Sequence, residues 1–153
     1  EDTAVYIRRG YSLTVFEDAL HSLQALEIPV ITHVILGLPG ESVDAMLREA
    51  SVLSSLPLTT LKLHQLQLIR GTRMAQQVES GELSIMRWTA EEYIDVCLAF
   101  LRRLSPCIAV ERFVSQSPES LLISPKWGLK NYEFTNLLMN RIKSTATVQG
   151  SER

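Results

Sequence analysis

The chain of 153 residues is the length of one domain, and a hydrophobic content of 46% is enough to bury a core. A formal net charge of −2 argues against a general nucleic-acid-binding surface, though it leaves room for a local basic pocket. No apolar run is long enough to span a bilayer and no leader follows Glu1, so neither a membrane nor secretion is expected; a cytoplasmic protein is.

Residues 1–11 read as irregular and carry Arg8-Arg9-Gly10-Tyr11. Thr14-Val15-Phe16-Glu17 fits a capping box, and Phe16, Ala19, Leu20, Leu23 and Leu26 form one apolar stripe of a helix that stops before Pro29. Val30 to Leu36 is short and rich in Val and Ile, so it reads as a buried strand. Gly37-Leu38-Pro39-Gly40 ends it, and Ser42 caps a second helix with Asp44 in its first turn. That helix buries Val43, Met46, Leu47, Ala50 and Leu53 and ends at Pro57.

Leu61 to Ile69 is the second strand, parallel to the first if the crossover is right-handed. Arg70-Gly71-Thr72 follows as a loop, and a short helix spans 73–80. Thr89-Ala90-Glu91-Glu92 is another capping box, opening a helix that buries Tyr93, Ile94, Cys97, Leu98, Leu101 and Leu104. Pro106 stops that helix before a third strand, Ile108 to Val114, which contains Glu111 and Arg112. Ser115 to Leu129 is loop-rich. A last helix runs from about Asn131 to Ser144, burying Phe134, Leu137, Leu138 and Ile142, and the tail after Thr145 frays. Cys97 and Cys107 read as buried free thiols.

Helix then strand, three times over, followed by a helix, is an α/β chain with a parallel sheet. Three strands are few for a complete domain, so the chain reads as the carboxyl-terminal half of a larger barrel or open sheet. Residues 1–153 form a single unit, with about 1–114 as the barrel half and 115–153 as an extension.

Strand alternation places His33, Ile35 and Gly37 on one face of the first strand. It places Lys62, His64, Leu66 and Leu68 on one face of the second, and Leu63, Gln65, Gln67 and Ile69 on the other. Polar side chains on adjacent parallel strands suggest a polar lumen or cleft, since buried Lys, His and Gln need partners. An exposed edge strand would explain Lys62 and His64 equally, and His33 also reads as a hydrogen-bonded core histidine. The Gly37–Gly40 turn is neither a Walker loop nor a dinucleotide fingerprint, and no metal-ligand spacing or catalytic triad stands out. From the residues alone this is the ligand-binding half of an α/β barrel.

Arg9-Gly10-Tyr11, then His33-Val34-Ile35-Leu36-Gly37-Leu38-Pro39-Gly40-Glu41, then Arg70-Gly71-Thr72 together resemble the radical S-adenosylmethionine (radical SAM) superfamily. The likeness is to its Fe–S oxidoreductase branch, akin to the oxygen-independent coproporphyrinogen oxidases and the elongator catalytic subunit. It extends through Leu61-Lys62-Leu63-His64, Arg112, Pro125-Lys126-Trp127 and Gln149-Gly150. The resemblance implies the carboxyl-terminal half of a partial (β/α)6 TIM-like barrel that begins just after the fourth strand. It also implies S-adenosylmethionine and a 4Fe–4S cluster as cofactors. The cluster belongs only to the full-length protein, because the Cys-x3-Cys-x2-Cys loop that holds it is absent here.

The resemblance carries roles to individual residues. Arg9 matches an arginine that pairs with the SAM carboxylate, and His33 a polar position that bonds to SAM. Ile35 and Gly37 match strand positions packed against adenine. Backbone groups near Gln67 and Leu68 match a contact to the adenine edge. Lys62, His64 and Arg112 are candidates for substrate contact, from strand position only. The implied chemistry is reductive cleavage of SAM to a 5′-deoxyadenosyl radical, on an unread substrate and with no activity for this chain alone. RNA enters as a partner only by analogy with relatives.

Two other readings stay open: a non-catalytic ligand- or partner-binding module, and a TIM-like phosphate-binding domain using Gly37–Gly40 as its anion loop. A truncated barrel leaves an edge exposed, so self-association is expected.

Overall fold

The computed structural model describes residues 2–153. The first segment is not wholly irregular, since α1 (Asp2–Tyr6) precedes the bend at Arg8–Tyr11. α2 (Leu13–Ala25) is capped by Ser12 rather than at Thr14: the extended Ser12 accepts the Val15 N–H on its hydroxyl, so Thr14 lies inside the helix. β1 (Ile31–Leu36) follows, alternating exposed and buried residues. α3 (Val43–Leu53) starts at the expected cap, where Ser42 accepts the Ala45 N–H.

Leu61 to Ile69 does not form one strand. β2 (Thr60–Gln65) ends before Leu66, and β3 (Leu68–Ile69) leaves the parallel sheet. α4 (Arg73–Glu79) then leads to α5 (Ala90–Arg103), whose capping box is complete: Thr89 accepts the Glu92 N–H and Glu92 accepts the Thr89 N–H. β4 (Ala109–Arg112) is shorter than the third apolar run. β5 (Leu122–Ser124) lies inside the segment expected to be loop, and pairs antiparallel with β3. α6 (Asn131–Ser144) has the expected bounds.

The main sheet has the order β1-β2-β4, all parallel, with α3 crossing from β1 to β2 and α4 and α5 crossing from β2 to β4. This is the α/β half-barrel arrangement. β2 is the central strand, so Lys62 and His64 do not sit on an edge. α3 and α5 pack together over one face, on Val34, Leu36, Leu61 and Leu63. α6 adds Phe134 and Leu138 to the same core. The opposite face, with Ile31, His33 and Ile35 exposed, carries no helix among the described residues.

β1 is an edge strand, which accounts for several apolar residues that stay outside the core. Of the α2 stripe only Leu20 is fully buried, and Leu26 is 70% exposed. Val43 and Leu137 are also exposed. Cys97 is buried and free, but Cys107 is exposed, because β4 starts only at Ala109 and leaves Cys107 on the preceding turn.

The tail is docked rather than frayed. The Gly150 and Glu152 N–H groups donate to the Leu101 and Arg102 carbonyls in the last turn of α5. Gln149 Nε2 donates to the Ser105 and Ile108 carbonyls at 2.6 and 2.8 Å. Gly150 fits because a Cβ there would lie 2.8 Å from Pro106. No helix among the described residues is long and apolar enough to cross a membrane.

Candidate functional site at the open face and strand ends

The bare face of the sheet gathers most of the residues singled out from sequence. β1 supplies His33 and Ile35, and β2 supplies Lys62 and His64. The register pairs His33 with Lys62 and Ile35 with His64, so the two imidazoles are diagonal neighbours. Their rings stack at 5.1 Å with planes 20° apart. His33 is therefore an exposed lumen residue, not a core histidine.

β4 reaches this face through an irregularity. Leu61 pairs with Val110, but Lys62 pairs with Arg112, skipping Glu111. Lys62 Nζ lies 3.0 Å from Glu111 Oε1. His64 Nε2 is buried and has no hydrogen-bond partner among the described residues. Burial holds the His64 pKa below its ordinary value, helped by the neighbouring His33, Arg112 and Lys62. A neutral imidazole with an unsatisfied nitrogen costs free energy until something polar reaches it.

At the carboxyl ends of the strands the chain supplies its own cover. Gly37 has φ +88, and a Cβ there would lie 2.9 Å from Trp88 Cζ3, so the indole sits directly on its α-carbon. Its N–H points at Met46 Sδ, 3.1 Å away. Trp127 Nε1 donates to the Trp88 carbonyl at 2.8 Å and holds that loop down. A cavity of about 280 Å³ lies here, lined by Gly37, Gln65, Leu66, Met86, Trp88 and Trp127.

A second cavity of about 850 Å³ shares Gln65 and Trp127 with the first and adds Gln67, Ser115, Ser117 and Lys126. The Gln65 and Gln67 amides are committed. Gln65 donates to the Ser115 carbonyl at 3.0 Å and accepts the Ser115 N–H at 2.9 Å. Gln67 donates to the same carbonyl at 3.1 Å and accepts the Ser117 hydroxyl at 2.7 Å. Leu68 is buried, and its backbone pairs with Ser124.

Arg9 lies apart from both cavities. Its guanidinium covers the Tyr11 ring at 4.7 Å and lines a surface pocket with Arg8 and Leu13. Its charge acts instead on Glu49 of α3, which feels Glu41 beside the Gly37–Gly40 turn. Burial pushes Glu49 up to about 7, the Glu41 charge adds to this, and Arg9 opposes it. Burial also raises Glu41, whose Oε2 has no partner among the described residues.

Trp88 and Glu49 were not singled out from sequence, and Gln65 and Glu41 were named only within a strand face and a motif, with no role of their own. Trp88 stands directly before a capping box and Gln65 on a core-facing strand position, and neither context marks a site. Glu49 is an ordinary helix residue by pattern, and Glu41 closes the Gly37–Gly40 motif without a sign of its burial.

The open face fits a polar ligand such as SAM on one observation, the orphaned His64 Nε2 beside exposed His33 and Ile35. A cluster does not fit this chain's donors. The described residues hold no group of three or more His, Cys, Asp or Glu able to bind a metal. Cys97 is enclosed in the core, where burial pushes its thiol pKa up.

Residues 58–144 match the family model of the radical SAM C-terminal domain. An uncharacterized protein of Methanocaldococcus jannaschii is 31% identical over 152 residues, covering 99% of this chain and 47% of that protein. The uncharacterized protein YtqA of Bacillus subtilis is 28% identical, covering 98% of this chain and 46% of its own length. Protein YhcC of Escherichia coli is 25% identical, at 95% and 46%. The chain thus spans about half the length of the curated relatives it matches. Among solved structures, an amino-terminally shortened Elp3 of the archaeon Methanocaldococcus infernus shares the fold. Its TM-score is 0.81 at 17% identity, covering 97% of this chain and 34% of that one.

Proposed function

The chain belongs to the radical SAM C-terminal domain family, and from that membership we propose that it forms the SAM- and substrate-facing half of a radical SAM Fe–S oxidoreductase. In the complete protein, a 4Fe–4S cluster held by residues outside this chain would supply the electron for reductive cleavage of SAM. The cluster ligands lie outside this chain, which alone is inactive. Cytoplasmic placement stays part of the reading, on the two free thiols.

This chain's residues bind and shield. His33 offers an exposed imidazole to SAM, and Ile35 an apolar surface to adenine. Gly37 keeps the strand end low enough for Trp88 to close over it, which limits water at the strand ends. Gln67 and Leu68 present backbone to the adenine edge, with the Gln67 amide fixed by Ser115 and Ser117. Arg9 takes the SAM carboxylate, a geometry a planar guanidinium suits. Lys62, His64 and Arg112 face the substrate.

The observation that carries the reading is the sheet that is covered on one side and bare on the other, with an unpartnered imidazole nitrogen on the bare side. A phosphate-binding turn at Gly37–Gly40 has less support. Gly37 N–H points to Met46 Sδ and Glu41 N–H donates to the Leu38 carbonyl, while Glu41 sets a carboxyl beside the turn.

The test is 5′-deoxyadenosine formation. The complete protein, loaded with iron and sulfide, is given dithionite and SAM, and the nucleoside is measured by chromatography. The complete protein should form it, and this chain alone should not. His33→Ala should lower the yield about tenfold, the loss of one hydrogen bond. A cluster-loaded complete protein that forms no 5′-deoxyadenosine, or no cluster in the complete protein at all, returns the chain to the class of non-catalytic binding modules.

A further inference from the structure

We infer that the substrate lying on the open face carries an anionic group, a carboxylate or phosphate, received jointly by the Arg112 guanidinium and His64 Nε2. That a substrate lies there rests on the proposed enzymatic reading; that its group is anionic rests on the chain's own geometry.

The irregularity in β4 is the first support. Val110 pairs with Leu61, and both lie against the core. A regular continuation would set Glu111 opposite Lys62 and turn Arg112 towards the core face. The skipped residue sets Arg112 opposite Lys62 instead. Bulges of this kind re-aim a side chain beside a site. The result is one lysine facing both a carboxylate and a guanidinium.

The charges then sort themselves. Glu111 is taken by Lys62 at 3.0 Å. Arg112 is exposed and has no carboxylate within ion-pairing distance among the described residues. The groups that face the spot are His33 from β1, Lys62 and His64 from β2, and Glu111 and Arg112 from β4. Lys62 and Glu111 cancel, the imidazoles are the soft groups, and a single positive charge remains. His33 covers one face of the His64 ring, and the enclosed Nε2 is the polar atom that lacks a partner until a ligand group reaches it. A planar guanidinium beside an orphaned nitrogen suits an oxyanion, since it can bind two oxygens at once. A cation would be repelled by Arg112, and an apolar group would leave both unsatisfied.

The experiment follows the His64 ring by NMR in the complete protein labelled with ¹⁵N-histidine, its signal assigned by loss in His64→Gln. Inorganic phosphate and, separately, acetate are the probes. Either should move the His64 titration midpoint upward by about one pH unit, because a nearby anion favours the imidazolium. A response to phosphate alone names a phosphate, and a larger response to acetate names a carboxylate. Arg112→Ala should abolish the movement and Arg112→Lys should keep part of it. The resonance of His21, on the exposed side of α2, checks that each variant is folded.

No movement with either anion, or equal movement in Arg112→Ala, overturns the inference. SAM is the third probe. If SAM alone moves His64 in the same Arg112-dependent way, the anion is the SAM carboxylate and the assignment to substrate is overturned. Loss of this titration leaves 5′-deoxyadenosine formation measurable, and loss of that activity leaves the titration measurable, so the two failures are distinct.

Discussion

Glu49 shows how much of this chain's electrostatics is set by burial rather than by sequence neighbours. Its carboxyl pKa stands at about 7, raised from 4.5 mainly by burial, with Glu41 adding to the rise and Arg9 opposing it. Between those two values the folded chain holds a proton that the unfolded chain has released. Stability is therefore greatest below the unfolded value and falls as pH rises through the window, because the ionised form must be buried in the folded chain. The full window is worth about 3 kcal/mol at most. Glu49→Gln removes the titration while keeping the shape. It should stabilise the protein by about 2 kcal/mol near pH 8 and change little near pH 5, read from urea unfolding at both. An equal effect at the two pH values would mean that Glu49 is not the group responsible. No pattern in the sequence marks it, since Leu47-Arg48-Glu49-Ala50 reads as an ordinary turn of helix. Its environment comes from Glu41 and Arg9, which other segments bring close.

Among the elements, the end of β2 governs how the site is held. Gln65 is 6% exposed and makes two hydrogen bonds to the Ser115 backbone, just beyond β4. Gln65→Leu would leave the Ser115 N–H without this partner, at a cost of about 1–3 kcal/mol. The expected result is lower unfolding free energy together with faster hydrogen exchange at the Ser115 amide. Unchanged exchange there would show that Gln65 does not hold that amide. This bracket also explains what could and could not be read in advance. α3 and α5 were legible because apolar periodicity, a cap and a following proline agree at each, and α6 by its apolar periodicity. The Thr89 cap was legible because Glu92 stands three residues on; Thr14 misled because Glu17 has the same spacing while Ser12 takes the cap. The open face followed from alternation, which placed His33, Lys62 and His64 correctly. The break at Leu66–Gln67 did not, because the only local sign of it is the slip in alternation at His64-Gln65, and its partner β5 is only three residues long. The skipped residue at Glu111 is a matter of register between strands, which no single segment encodes. The docked tail depends on carbonyls of α5, distant in sequence.

At the level of the whole molecule, the half-barrel leaves two kinds of unfinished surface. One is the edge of β1, which among the described residues pairs only with β2. The other is apolar: Ile31 and Ile35 on the bare face are 49% and 40% exposed, and Leu26 and Ile28, just before that strand, are 70% and 46% exposed. An unpaired edge beside apolar side chains is a template for another strand. Relatives about twice as long would carry further chain to cover it. The 153-residue chain on its own should therefore self-associate, with mass rising with concentration in light scattering. Ile31→Lys and Leu26→Lys together should shift it towards monomer, because inward and edge charges oppose strand addition. The site residues are untouched by these changes, so the effect isolates the edge. A wild-type chain that stays monomeric at the highest attainable concentration would show that the edge is protected within the chain itself. α2 would then be the element to test, since it is the helix that leads into β1 and carries Leu26 at its end.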